Sequence, residues 1–162
     1  MVDNIQNLGT ALAAALAGDY TQLLRATGRV TVIEAAYALA GEVPGSSAHI
    51  RAQAYQLLGT FKDPSTVERI ASGLYDYGDE AEKEPCQVTC DFYDGQIVQE
   101  AAMNALESIG TPEALLALEQ KLERDSAPPP HQQYINRNNV NREVLESAIS
   151  RLREATNKHN KT

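Results

Sequence analysis

The chain has no tryptophan, only two phenylalanines and two cysteines, and no apolar run approaching the length of a membrane span. Aromatic residues make up 6% of the 162 positions and apolar residues 43%, so alanine and leucine supply much of the apolar surface. Alanine and leucine favour closely packed helices over a sandwich of β-sheets. We therefore expect one soluble, cytoplasmic, all-α domain that spans residues 1–162.

Basic residues are also scarce, because 14 Lys and Arg stand against 22 Asp and Glu, for a net charge of −8. The charge is uneven: residues 76–95 carry a net −6, whereas residues 127–162 carry a net +3. Nucleic-acid binding depends mainly on the neutralisation of phosphates by Lys and Arg. The acidic middle of the chain therefore argues against a nucleic-acid partner, and the missing apolar span argues against a membrane partner.

Motifs of common catalytic sites are missing, since the chain has no G-x-S-x-G, no Walker A and no G-x-G-x-x-G. His49, His131 and His159 form no H-x-x-x-H or His-Glu pair. Cys86 and Cys90 are spaced C-x-x-x-C, but no second Cys/His pair completes a structural zinc site. A disulfide and two reduced thiols both remain open for them. We expect no enzymatic activity, no cofactor and no metal.

An internal repeat is the strongest positive signal. Residues 54–74 align without a gap on residues 102–122, at an offset of 48 positions. Each copy predicts an apolar-periodic helix, a short break ending in proline, and a second helix, because proline suits the first turn of a helix. Seven repeat positions are expected to be nearly fully buried, namely Leu58, Phe61, Ile70, Leu106, Ile109, Leu118 and Leu122.

The apolar periodicity and the helix stop signals predict eight helices in all. Their expected ranges are 3–17, 20–26, 31–41, 47–60, 64–75, 96–108, 112–124 and 139–156. Gly18, Gly28 and Gly41 are expected to end the first three, and Asn139 or Asn141 to cap the last.

The second copy reads A-x-x-A-L-x-x-I-G-T-P-E-A from Ala102 to Ala114, and the first shares its Ala54, Leu58 and Pro64. This pattern resembles HEAT and HEAT-like repeats, the class that includes the phycobilisome-lyase-type repeats, over residues 47–124. The resemblance implies an α-solenoid of antiparallel helix pairs that serves as a non-enzymatic scaffold or adaptor for another protein. It also implies an alternative, a chaperone or lyase-like subunit acting on a chromophore-bearing protein. An inhibitor or immunity-type binding protein is a third possibility.

Two long links interrupt the array, at residues 76–95 and 125–138, and we name them the first and second insertions. Both follow the second helix of a unit, so they should emerge side by side along one edge. Aromatic and imidazole groups concentrate in or beside them, namely Tyr75, Tyr77, Phe92, Tyr93, His131 and Tyr134. These rings form either a partner-binding surface or plugs that seal the ends of the core.

The outward positions of the fifth and seventh helices complete the predicted binding surface. They are Ser65, Glu68, Arg69, Ser72, Glu113, Leu116 and Gln120. The acidic run in the first insertion is either a solvated loop or a docking patch for a protein with a basic surface.

Overall fold

A computed structural model of the chain describes residues 2–42, 47–76, 94–126 and 140–159. Within these ranges the fold is all-helical and has no β-strand, which confirms the predicted class. Its eight α-helices are α1 Val2–Leu16, α2 Thr21–Thr27, α3 Val32–Tyr37, α4 Ala48–Phe61, α5 Val67–Ser72, α6 Asp94–Ile109, α7 Pro112–Ser126 and α8 Arg142–His159.

The most extensive helix contact joins α4 to α6, the first helices of the two repeat copies. Gly59 allows this close approach, because a Cβ built there would lie 2.8 Å from the Cα of Ala105. Gly73 makes a similar contact after α5, where a Cβ would lie 2.6 Å from the ring of Tyr55. A chain without tryptophan fills its core in this way, by bringing backbones together over small residues.

Helix contacts follow chain order along two series, one of four helices and one of two, and α2 and α3 belong to neither. In the first series α1 contacts α4, α4 contacts α6, and α6 contacts α8. In the second series α5 contacts α7, and both of these helices also contact α6. The helices α5 and α7 are therefore neighbours.

The two repeat copies use the same local devices at equivalent positions. Lys62 and Gly110, 48 positions apart, both end a helix with a positive φ, of 50° and 77°. The next residue of each copy caps the following helix: a carboxylate oxygen of Asp63 accepts from a backbone N–H at 2.9 Å, and the Thr111 hydroxyl does so at 3.2 Å. The alignment made from the sequence thus pairs residues with the same structural role, ending one helix or capping the next.

The burial observed at the repeat positions agrees with the predicted core only in part. Four of the seven predicted positions are fully buried, namely Leu58, Ile70, Leu106 and Leu118. The prediction is wrong for Phe61, Ile109 and Leu122, which are only partly buried. Phe61 and Ile109 are the last residues of α4 and α6, where a helix end leaves one side of the side chain open. Leu122 lines a cavity of about 210 Å³ between α7 and α8.

Several helix boundaries also differ from the prediction. The expected helix 64–75 is divided into a 3₁₀ turn Pro64–Thr66, then α5, then a second 3₁₀ turn Gly73–Tyr75. The helix expected to stop at Gly41 continues as a π-helical segment Ala38–Glu42. Gly41 does not adopt the positive φ of Gly18 and Gly28, so it does not terminate the helix.

The helices beside the two insertions are longer than predicted. The helix α6 begins at Asp94 and α7 ends at Ser126, so each helix takes in residues assigned to an insertion. The helix predicted at 139–156 begins three residues later, at Arg142, and extends to His159. Of its two predicted caps Asn141 is confirmed, because its Oδ1 accepts a hydrogen bond from the backbone N–H of Glu143 at 2.9 Å. None of the helices in the described ranges is both long and apolar enough to cross a membrane.

Candidate functional site

The predicted binding residues fall into two groups. Five of them lie outside the described residues, namely Tyr77, Phe92, Tyr93, His131 and Tyr134, as do both cysteines. The others lie on three elements: α5 with the 3₁₀ turn before it, the 3₁₀ turn after it, and α7.

An open groove of about 780 Å³ lies between α3 and the segment that contains α5. The predicted residues Ser65, Glu68, Arg69 and Ser72 form one side of it, together with Asp63, and all four are exposed. The opposite side consists of Thr31, Ile33 and Tyr37 from the start and length of α3. The sequence prediction missed this second side, because the two helices belong to different units and nothing in the repeat pattern pairs them.

Arg69 and Tyr37 connect the two sides of the groove. The guanidinium carbon of Arg69 lies 4.4 Å from the centroid of the Tyr37 ring, a cation–π contact. Partial burial raises the pKa of the Tyr37 phenol above its ordinary value, and the positive charge of Arg69 opposes that rise. The phenol is therefore a neutral hydrogen-bonding group at physiological pH, held in place by a neighbouring cation.

The helix α7 adds a second exposed row beside α5. Its predicted residues Glu113, Leu116 and Gln120 are all exposed. Leu116 is 54% exposed, which makes it an apolar side chain on a row of otherwise polar groups. The α7 row therefore lies on a helix that contacts α5, although no α7 residue lines the groove itself.

Tyr75 joins the segment before the first insertion to the end of α7. Its ring is partly buried against the core, with Lys121 Nζ 5.3 Å and the guanidinium carbon of Arg124 4.7 Å from the ring centroid. For Tyr75 the packing resembles the core-plug alternative more than a free binding surface. Burial raises the pKa of its phenol, and Arg124 opposes the rise.

Lys121 is the most unusual side chain of this region, because it is fully buried. Its Nζ donates a hydrogen bond to Asp125 Oδ1 at 2.9 Å. Burial lowers the pKa of the amine, and the bond to Asp125 acts in the opposite direction. The amine is thus enclosed by protein and hydrogen-bonded to a carboxylate that is itself 20% exposed.

Gln99 links the two insertions at their bases. Its Nε2 donates to the backbone oxygen of Asp76 at 2.7 Å, and its Oε1 accepts from the backbone N–H of Val140 at 3.1 Å. Asp76 begins the first insertion, and Val140 follows the second. The side chain of Gln99 is fully buried, so both bonds are shielded from water. Gln99 thus joins the beginning of the first insertion to a residue just after the end of the second. That the insertions emerge side by side along one edge stays a prediction, because residues 77–93 and 127–139 lie outside the described residues.

The repeat offset pairs two of the residues that the prediction missed with residues 48 positions earlier. Lys121 corresponds to Gly73 of the first copy, and both positions are buried. Gln99 corresponds to Arg51, and both side chains bind Asp76, Arg51 through the carboxylate and Gln99 through the backbone oxygen. Arg51 and Gln99 lie outside the aligned residues 54–74 and 102–122, and a glycine opposite Lys121 does not indicate burial, so the sequence held no clear signal for either residue.

No group of three or more His, Cys, Asp or Glu suited to a metal ion occurs in the part of the chain that the structure describes. No protein-family model matches the chain, and neither a curated protein nor a solved structure is significantly similar to it.

Proposed function

We propose that the chain is a non-enzymatic α-solenoid of HEAT-like helix pairs that binds another protein through its α5–α7 side and its two insertions. Three features support the solenoid arrangement: the two series of helix contacts, the shared αL helix ends at Lys62 and Gly110, and the shared caps at Asp63 and Thr111. Fold alone does not name a partner, so the site must carry the functional argument.

The observation that carries the proposal is the exposed leucine on α7. Leu116 lies between Glu113 and Gln120 on the outward row, and 54% of it is open to water. A large apolar side chain between polar groups, on a helix that contacts the α5 segment lining the groove with Tyr37 and Arg69, has the composition of a protein interface. Tyrosine and arginine are the residues most often found at the energetic centre of such interfaces.

The insertions are expected to form the second half of the binding surface. Their bases are joined by Gln99 and lie close to Tyr75, which in turn contacts Lys121 and Arg124 of α7. This arrangement fixes the starting points of both segments relative to α7. The acidic composition of residues 76–95 favours a partner with a basic surface, since complementary charges accelerate association.

The test is an affinity capture from an extract of the source organism with the full chain as bait, compared with Leu116→Lys. The matched control is Val144→Lys on α8, which changes another exposed apolar residue, 40% open to water, to the same cation. The proposal is supported if one protein is captured by both the parent chain and Val144→Lys. The same protein must be lost or strongly depleted when the bait is Leu116→Lys. Equal capture by all three baits would remove α7 from the binding surface.

A second bait, in which residues 77–93 are replaced by a short Gly/Ser linker, tests the first insertion separately. This replacement leaves Asp76 and Gln99 in place, so the bond at the base of the insertion is retained. Loss of the same captured protein would support a role for the insertion. Undiminished capture would restrict the binding surface to the helices.

A further inference from the structure

The groove between α3 and α5 has a charge pattern of its own. Its lining includes two carboxylates, Asp63 and Glu68, and one guanidinium, Arg69. Neither carboxylate forms an ion pair with a described residue, whereas Arg69 contacts the Tyr37 ring. The groove therefore presents a net negative charge. The Glu68 carboxylate has no ion-pair partner among the described residues, and Asp63 Oδ1 accepts the capping hydrogen bond from the Ser65 N–H, which leaves its other oxygen for a ligand.

The apolar content of the groove comes from α3. Ile33 and Tyr37 are both partly buried and packed against the hydrophobic core, so they form a fixed surface beside the two carboxylates. The hydroxyls of Ser65 and Ser72 complete the polar side, and the Ser72 hydroxyl donates to the backbone oxygen of Arg69 at 2.6 Å. An apolar surface next to two carboxylates that form no ion pair with a described residue suits a ligand that carries an apolar group and a cation together.

The dimensions of the groove indicate the size of that ligand. Ser65 and Ser72 are seven positions apart, and helical residues rise 1.5 Å each, so the polar side is on the order of 10 Å long. An extended peptide covers about 3.3 Å per residue, so about three residues fit along it. Its volume of about 780 Å³ is also large enough for several side chains.

We propose that this groove binds a short segment of a partner protein in which a lysine or arginine stands next to a large apolar side chain. The apolar side chain packs on Ile33 and Tyr37, and the cation lies between Asp63 and Glu68. Exposed ion pairs add little affinity, so the carboxylates mainly select which segment binds, while the apolar contact supplies most of the binding free energy. This inference names the partner chemistry of the α5–α7 side and rests on the protein-binding function proposed above.

The test is selection of a phage-displayed library of random heptapeptides on the full-length chain, with sequencing of the enriched peptides. The parent chain should enrich Lys or Arg beside Leu, Ile or Phe. Glu68→Lys changes the groove from a net −1 to a net +1 and should replace that preference by Asp or Glu. Glu154→Lys makes the same chemical change at an exposed position of α8, outside the groove, and should leave the preference unchanged.

A second measurement uses the most enriched peptide, labelled and titrated against each variant by fluorescence anisotropy. Tyr37→Ala should weaken its binding by about tenfold or more, the scale expected for an aromatic residue at the centre of an interface. Helical circular dichroism of each variant identifies any that fail to fold, and Tyr37→Phe then replaces Tyr37→Ala as the milder variant, with a smaller loss expected.

The outcomes distinguish this inference from the broader proposal. The inference is overturned if no peptide is enriched, or if Glu68→Lys enriches the same peptides as the parent chain. It is also overturned if Glu154→Lys changes the enriched peptides in the same way as Glu68→Lys. In each of these cases a protein whose capture depends on Leu116 would still support the broader proposal. The absence of any protein whose capture depends on Leu116 would count against the broader proposal and not against the groove.

Discussion

The guanidinium of Arg51 holds the carboxylate of Asp76 through two hydrogen bonds, at 2.7 Å from Nε and 3.1 Å from Nη2. Arg51 lies in the first turn of α4 and Asp76 directly precedes residues 77–93, so the pair attaches the beginning of the first insertion to the start of a core helix. The two side chains are only 11% and 18% exposed. A two-point ion pair shielded from water fixes both the distance and the orientation of its partners.

Removing one member of this pair should be costly. Arg51→Met leaves the Asp76 carboxylate nearly buried without its cation, and the free energy of unfolding should fall by about 3 kcal/mol. Chemical denaturation followed by circular dichroism measures the change. Arg142→Met is the matched control, because the Arg142–Glu146 pair on α8 is 66% and 46% exposed, and its loss should cost less than about 0.5 kcal/mol. Equal effects of the two substitutions would contradict a structural role for the Arg51–Asp76 pair.

Gln99→Leu should disconnect the bases of the two insertions. The change removes both hydrogen bonds and leaves the buried N–H of Val140 without its acceptor, at a cost of about 1–3 kcal/mol. Hydrogen exchange should show faster exchange of the Val140 amide at a temperature where the fold is intact. Gln96→Leu on the same helix removes only the bond from Gln96 to Glu100 and should leave that amide unchanged. Unaltered Val140 exchange in Gln99→Leu would contradict the link.

Gly59→Ala should destabilise the contact between α4 and α6. The added methyl group would lie 2.8 Å from the Cα of Ala105 and 2.9 Å from its Cβ, so backbone must move. Overpacking of this kind costs about 1–3 kcal/mol. Gly9→Ala in α1 is the control, because its added Cβ would lie 3.7 Å from Ile50 Cδ1, an ordinary contact distance. The better helix propensity of alanine should then raise the free energy of unfolding by about 0.5–1 kcal/mol. Thermal unfolding of both variants gives the comparison, and a neutral Gly59→Ala would refute the close approach.

Tyr55→Phe should reduce the loss of stability at alkaline pH. Burial raises the pKa of the Tyr55 phenol above its ordinary value of 10.0. The folded state therefore keeps its proton where the unfolded state has lost it, so this contribution is complete below pH 10.0 and is lost as the pH rises through the folded-state pKa. The free energy of unfolding should fall more steeply above pH 10 in the parent chain than in Tyr55→Phe.

The other groups with shifted pKa values contribute equally to both proteins, so their effects cancel in that comparison. Tyr37 and Tyr75, whose pKa values burial also raises, are present in both proteins. The pKa of Lys121 is lowered instead, so its contribution to the free energy of unfolding increases as the pH rises toward 10.5, again in both proteins. Denaturant titrations between pH 8 and about pH 11 measure the two slopes, and identical slopes would mean that the Tyr55 phenol ionises as freely in the folded state as in the unfolded one.

The sequence by itself determined the helical class, the eight helices and the equivalence of the two repeat copies. These properties depend on local signals: apolar spacing along one helix, prolines in first turns, and a residue such as Gly110 that tolerates a positive φ. The outward positions of α5 and α7 were predictable for the same reason, since a helix with one buried stripe must expose the opposite one. The end positions Phe61 and Ile109 were misjudged because periodicity does not show where a neighbouring helix stops.

Only the tertiary structure decided which distant residues meet. The groove joins Tyr37 to Arg69, Gln99 joins Asp76 to Val140, and Lys121 is enclosed beside Tyr75. These contacts depend on how far apart neighbouring helices lie, and that distance is set by small residues such as Gly59 and Gly73 at the crossings. Helix spacing and rotation result from packing across the whole core, so a pattern read along one segment predicts the faces of a helix but not the residues across from it.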